Sequence, residues 1–128
     1  MNRVLEPELM EDEVQVKAYA EADFVVPHQQ FIQLLKDFIN DPSFNGHGLD
    51  LGCGPGDISF RFAKAFPKSK LDAVDGSQPM LDYAKKLTTP ALKKRVNFIN
   101  GLLPDVTLPQ SNYAVSYTHL TLPTKRIV

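Results

Sequence analysis

The chain has 128 residues, of which 43% are hydrophobic and 23% charged, and its formal net charge is −1. That length accommodates one domain with a real core, and the composition argues against disorder. A near-neutral balance leaves no footprint for nucleic acid or an anionic membrane surface, and no apolar run approaches the ~20 residues of a membrane span.

In chain order, residues 1–10 read as an extended arm. Glu11 to Asp23 is helix-compatible, with Val14, Ala18 and Ala22 on one face and Tyr19 beside it. Pro27 opens a second helix in which Phe31, Leu34, Leu35, Phe38 and Ile39 follow the spacing of a buried stripe. Asn40-Asp41-Pro42 ends it, because the residue before a proline is pushed out of the α region. His28 is expected at the surface or at the helix start.

The next segment alternates strand and helix. Strand one is expected at Leu49 to Gly52, with His47-Gly48 a weak beginning, and a helix from Gly56 to Phe66, which Pro67 stops. Strand two runs from Leu71 to Asp75. Ser77 then caps a further helix that has Pro79 in its first turn and Met80, Leu81, Ala84 and Leu87 on its apolar face. Lys93-Lys94-Arg95 reads as a solvated face, strand three as Val96 to Ile99, and Asn112 to Tyr117 as the start of strand four. This order predicts an α/β domain with a parallel sheet. The single cysteine, Cys53, excludes an intrachain disulfide, and no Cys/His cluster has metal-ligand spacing. Met1 to Asp12 is acidic, without the apolar segment of a signal peptide. A cytoplasmic, metal-free protein is the expectation.

The chemistry concentrates at the end of strand one, in Leu49-Asp50-Leu51-Gly52-Cys53-Gly54-Pro55-Gly56-Asp57. Alternate glycines let the backbone turn sharply and approach a ligand closely. Parallel sheets bind ligands beyond the carboxyl ends of their strands, where Asp75 can accept both hydroxyls of a ribose. The pair specifies an adenosine-type ligand. Asp57 stands where a dinucleotide fingerprint would carry its third glycine. A carboxylate there suits the helix dipole but repels a diphosphate, which disfavours a nicotinamide oxidoreductase.

This run, followed by Val74-Asp75-Gly76-Ser77 and Met80-Leu81, resembles the class I S-adenosylmethionine-dependent methyltransferases. The resemblance implies a three-layer Rossmann-like fold, S-adenosyl-L-methionine as cofactor, and a small-molecule methyl acceptor. Gly52, Cys53, Gly54, Pro55 and Gly56 would hold the methionine part, with Asp50 orienting that turn and Asp75 binding the ribose. Gly76, Ser77 and Met80 would flank the ribose and adenine, and Asn100, Gly101 and Leu102 would border the adenine edge. Relatives often carry an acidic residue in this last loop, where Leu102 and Leu103 stand here, so backbone or apolar contact is expected. No catalytic base is assigned. An aminopropyltransferase on the same scaffold and a non-functional truncated product are the alternatives.

The domain expectation is an N-terminal arm with helices over 1–45, a cofactor-binding half-domain over 46–114, and a tail over 115–128. Val115 to Val128 shows no continuation of the α/β pattern and resembles the translation of a transposon-derived sequencing adapter. On that reading the tail is non-native and the fold is truncated after about strand four. The alternative is a genuine strand followed by a short basic tail.

Overall fold

The computed structural model describes residues 12–21, 24–102, 108, 109 and 112–118. Its elements are α1 (Glu13–Glu21), α2 (Val25–Ile39), β1 (His47–Leu51), α3 (Asp57–Ala65), β2 (Lys70–Asp75), α4 (Gln78–Leu87), the short α5 (Pro90–Lys93), β3 (Val96–Asn100) and β4 (Val115–Thr118). All strand pairs are parallel, in the order β3-β2-β1-β4. The strand–helix alternation read from the sequence is therefore the architecture. The expected arm over 1–10, together with Ala22, Asp23 and residues 119–128, lies outside the described residues.

Helix ends follow local chemistry. Asn40 adopts the left-handed conformation (φ 53°), and its N–H closes on the Lys36 carbonyl, terminating α2 ahead of Pro42. The Ser77 hydroxyl accepts from the Met80 N–H at 3.3 Å, capping α4 as expected. Thr89 caps α5 in the same way, accepting from the Leu92 N–H.

The core lies where α2 and α3 pack on the sheet, joining Ile32, Leu35, Ile58, Phe62, Phe66, Leu71, Val96 and Tyr117. The stripe of α2 is narrower than its apolar residues suggest. Ile32 and Leu35 are buried, with Phe31 and Ile39 packed beside them, whereas Leu34 and Phe38 are 66% and 79% exposed. One helix meeting one partner covers a single stripe, so residues one position round the helix face outward. In α1 the buried residue is Val16, not Val14, which is 77% exposed, because α1 lies against α4. Leu87, expected on the apolar face of α4, is also exposed.

β1 begins two residues earlier than expected, at His47. Gly48 is buried there because a β-carbon would stand 3.2 Å from Leu71 Cδ1, 3.3 Å from Phe62 Cζ and 3.4 Å from Val115 Cγ1. The glycine makes room for the Phe62 ring. Arg95 is not a solvated cation. Its guanidinium donates to the carbonyls of Ser69 (2.9 Å), Ala63 (3.0 Å) and Phe66 (3.4 Å), satisfying the C-terminal end of α3.

Val115–Thr118 pairs with β1, so the first residues of the segment expected to leave the α/β pattern instead continue it. Alternation explains this: Tyr117 is buried against Phe31 and Phe62, while Ser116 and Thr118 face outward. On the opposite sheet face buried Asp72 accepts from the Tyr113 hydroxyl (2.7 Å) and Asn97 Nδ2 (3.4 Å), with His47 Nε2 at 3.3 Å. These contacts fasten the residues leading into β4.

Candidate cofactor site

Three segments meet at the carboxyl ends of the strands: the glycine turn after β1, Asp75-Gly76-Ser77 after β2, and Asn100-Gly101-Leu102 after β3. The Gly52 and Cys53 N–H groups both donate to the Val74 carbonyl, at 2.7 and 2.9 Å. The Gly54 N–H donates to Asp75 Oδ1 at 3.1 Å, and the Ser77 N–H donates to Asp75 Oδ2 at 3.0 Å. The Gly101 N–H donates to the Asp75 carbonyl at 3.1 Å. Asp75 is therefore the knot that ties the three segments together.

A carboxylate offers about four acceptor positions, and the two amides engage one on each oxygen. Gly54 and Gly56 take φ of 58° and 95°, conformations that disfavour side chains. At Gly56 a β-carbon would also stand 3.1 Å from both Ala84 Cβ and Phe60 Cε2. Gly56→Ala is expected to cost about 2–3 kcal/mol, from left-handed strain and crowding against α4. Urea unfolding measures this, and an unchanged midpoint would remove the close turn–helix contact from the account. At Gly54 the nearest atom to a β-carbon is Tyr19 Cε2, 3.9 Å away, so the backbone lies open beneath the Tyr19 ring. This cradle, with Asp75 at its edge, fits the ribose and 5′ arm of an adenosine-type ligand.

Not every expected side chain reaches this surface. Asp50 is fully buried beneath it, with Oδ2 accepting from the Ser59 hydroxyl at 2.7 Å and the Tyr117 hydroxyl at 3.1 Å. It braces β1 against α3 and β4. The Tyr117 hydroxyl is held well above its usual pKa, first by burial and then by the Asp50 charge. Cys53 is buried, and burial, then Asp50 and Asp75, push its thiol far up, so it is a packed residue and no nucleophile. Met80 is also buried, and the Ser77 hydroxyl serves as the helix cap. At these positions the side chains turn inward. Asn100 Nδ2 donates to Gln78 Oε1 at 2.7 Å, and Leu102 is exposed at the rim.

Sequence reading missed a polar cluster at the head of α3. His28 Nδ1 lies 2.5 Å from Asp57 Oδ2, and Arg61 Nε donates to the same oxygen at 2.6 Å. His28 is thus neither cap nor surface residue; it lies one turn inside α2 and bonds across to α3. Asp57, whose charge was set against a diphosphate, is substantially countered by Arg61. Its carboxyl is held below the usual range, chiefly by the His28 hydrogen bond, against burial, with Arg61 adding to the effect. A lowered value in the folded protein means that the contribution is complete above the unfolded value near 3.8 and is lost as pH falls below it. Thermal melts should therefore show the gap between the parent and Asp57→Asn closing below about pH 4. A gap constant from neutral pH to strong acid would contradict this.

A cavity of about 210 Å³ adjoins the turn, lined by Tyr19, Phe24 and His28 on one side and by Cys53, Pro55, Asp57 and Arg61 on the other. Residues 49–126 match the family described as methyltransferase domain. The chain belongs to that methyltransferase family. The match continues past Ala114, through β4 and on to residue 126.

Relatives agree with the methyltransferase assignment. The chain is 34% identical over 91 residues to malonyl-[acyl-carrier protein] O-methyltransferase of Priestia megaterium, covering 71% of this chain and 31% of that protein. It is 41% identical over 69 residues to demethylmenaquinone methyltransferase of Leptospira interrogans, covering 53% and 28%. A crystal structure of a SAM-dependent methyltransferase from Aquifex aeolicus superposes with a TM-score of 0.65 at 21% identity, covering 84% of this chain and 56% of that one. The fold is accordingly the Rossmann-like methyltransferase fold, and the chain spans about 30% of the length of the two curated relatives. No helix among the described residues is long and apolar enough to cross a membrane, and none of their acidic, His or Cys side chains form a group that could hold a metal ion.

Proposed function

We propose that this methyltransferase domain binds S-adenosyl-L-methionine across the ends of β1, β2 and β3 and serves transfer of its methyl group to a small organic acceptor. The observation that carries the reading is Asp75, held by the Gly54 and Ser77 amides beside the open backbone of the glycine turn. When bound, the cofactor supplies an electrophilic methyl on a sulfonium whose departing group is a neutral thioether. Asp75 accepts the ribose hydroxyls, the Gly52–Gly54 backbone supports the 5′ arm, and Asn100 to Leu102 border the adenine. Gly76 and Ser77 contribute main chain at that edge. The contribution of these residues is alignment and exclusion of water.

The relatives' names support an organic acceptor, one being a carrier-borne malonyl group and one a demethylated menaquinone. Both are organic acceptors rather than nucleic acid. No acceptor-side base is assigned here. Calorimetry with S-adenosylmethionine, S-adenosylhomocysteine and NAD tests the reading. Binding of the first two is expected, and binding of NAD alone would overturn it. Methyl transfer to a malonyl thioester or a demethylated quinone would support the acceptor class, and its failure would leave the cofactor assignment intact.

A further inference from the structure

A second cavity, of about 540 Å³, lies along the outer side of α3, in the trough between α2 and the end of α4 with α5. Its floor is apolar: Ile32 is buried, Phe60 and Leu92 are half-buried, and Leu87 is 56% exposed. The exposed Leu87 of α4 thus opens into this trough. Lys36 from α2 and Arg61 and Lys64 from α3 rim the floor.

The rim charge is largely uncompensated. The Lys36 and Lys64 side chains make no ion pair among the described residues, and both residues are exposed. Asp57, the one acidic residue among those lining the trough, is already shared by Arg61 and His28. Lys93, beside Leu92 in α5, is exposed and adds to the same sign. The whole chain carries a formal net charge of −1, so this positive rim is a local concentration.

We infer that the trough docks an acidic amphipathic helix of a partner protein, its apolar face on the floor and its carboxylates toward Lys36, Arg61 and Lys64. Charge complementarity and shape select this occupant. Arg61 and Lys64 stand about one turn apart on α3, the spacing at which acidic residues recur along one face of a helix. Lys36 matches them from α2, so an apolar strip runs between positive edges, as in a groove that takes a helix. The nine residues of α3 give a seat about 14 Å long, room for about two and a half helical turns. A lipid surface needs a flat or convex apolar face, whereas this floor lies at the bottom of a concavity. Asp57 and Arg61 also line the cavity beside the glycine turn, so the docked partner abuts the candidate cofactor site. The inference does not depend on which cofactor that site takes.

Fluorescence anisotropy on the whole chain decides it, with labelled helical peptides of about 18 residues. One carries Leu along one face flanked by Glu, a second has Lys in place of Glu, and a third scrambles the first. The acidic peptide should bind at least about fivefold more tightly than either control, and its advantage over the Lys peptide should shrink at ~1 M salt, where charges are screened. Lys36→Glu/Lys64→Glu should weaken the acidic peptide by at least about fivefold and tighten the Lys peptide by about threefold, a gain that misfolding does not produce. Leu87→Gln, at an exposed position, should weaken the acidic peptide by about threefold through lost apolar contact. Equal binding of the three peptides by the parent overturns the inference, as does acidic-peptide binding unchanged in both variants. Loss of the acidic peptide without a gain of the Lys peptide, in a charge-reversed variant that melts like the parent, also overturns it. Self-association of the parent that the charge reversal abolishes would assign the trough to a second copy, and binding of phosphatidylglycerol vesicles in place of the peptide would assign it to a lipid surface; either result overturns the inference.

Discussion

Replacing Asp75 with alanine is expected to weaken S-adenosylhomocysteine binding by more than about tenfold, since hydrogen bonds to a charged acceptor are worth about 1.5–3 kcal/mol. Two effects combine. The ribose loses its acceptor, and the Gly54 and Ser77 amides lose the oxygens that hold the turn and the head of α4 at fixed separation. Asp75→Asn separates the two, because it keeps the shape and one acceptor oxygen. Its affinity should fall between parent and alanine, with a melting temperature near that of the parent. If Asp75→Ala binds within about twofold of the parent, Asp75 holds no ribose and the site lies elsewhere.

Asp75 was legible because everything it does is local to motifs the sequence displays: a strand end, a glycine turn and a capped helix start. Ser77 was legible for the same reason. The His28–Asp57 and Arg95–Ala63 contacts span 29 and 32 residues, and no spacing rule connects positions so far apart. Their residue types gave the opposite hint, since single histidines and basic runs usually face water. Periodicity placed α2 correctly but could not say which of its apolar residues meet α3, and Leu34 and Phe38 lie on the uncovered flank. At Val115–Thr118 one buried and one half-buried position were too few to show a period, although Tyr117 is what completes the Asp50 hydrogen bonds. Cys53, Ser77 and Met80 lie in the expected loops and helix, but their side chains turn inward.

Phe62→Ala is expected to destabilise the domain by about 3–5 kcal/mol, the usual cost of removing a buried aromatic ring and leaving a cavity. That is a large share of the ~5–15 kcal/mol that holds a domain folded. Phe62 is fully buried, with ring centroids 5.0 Å from Phe66 and 5.7 Å from Tyr117, so the end of α3 and β4 both lean on it. Gly48 supplies a sharper test of the same packing. A methyl at 48 would press on Phe62, Leu71 and Val115 at 3.2–3.4 Å, and Gly48→Ala alone should cost about 1–2 kcal/mol through overpacking. In the Phe62→Ala background the same methyl enters the space the ring has vacated, so the double variant should be more stable than the sum of the single effects by at least ~0.5 kcal/mol. Urea unfolding of the four proteins measures the cycle. Strict additivity would mean that Gly48 serves only backbone geometry and that the ring does not decide the identity of residue 48.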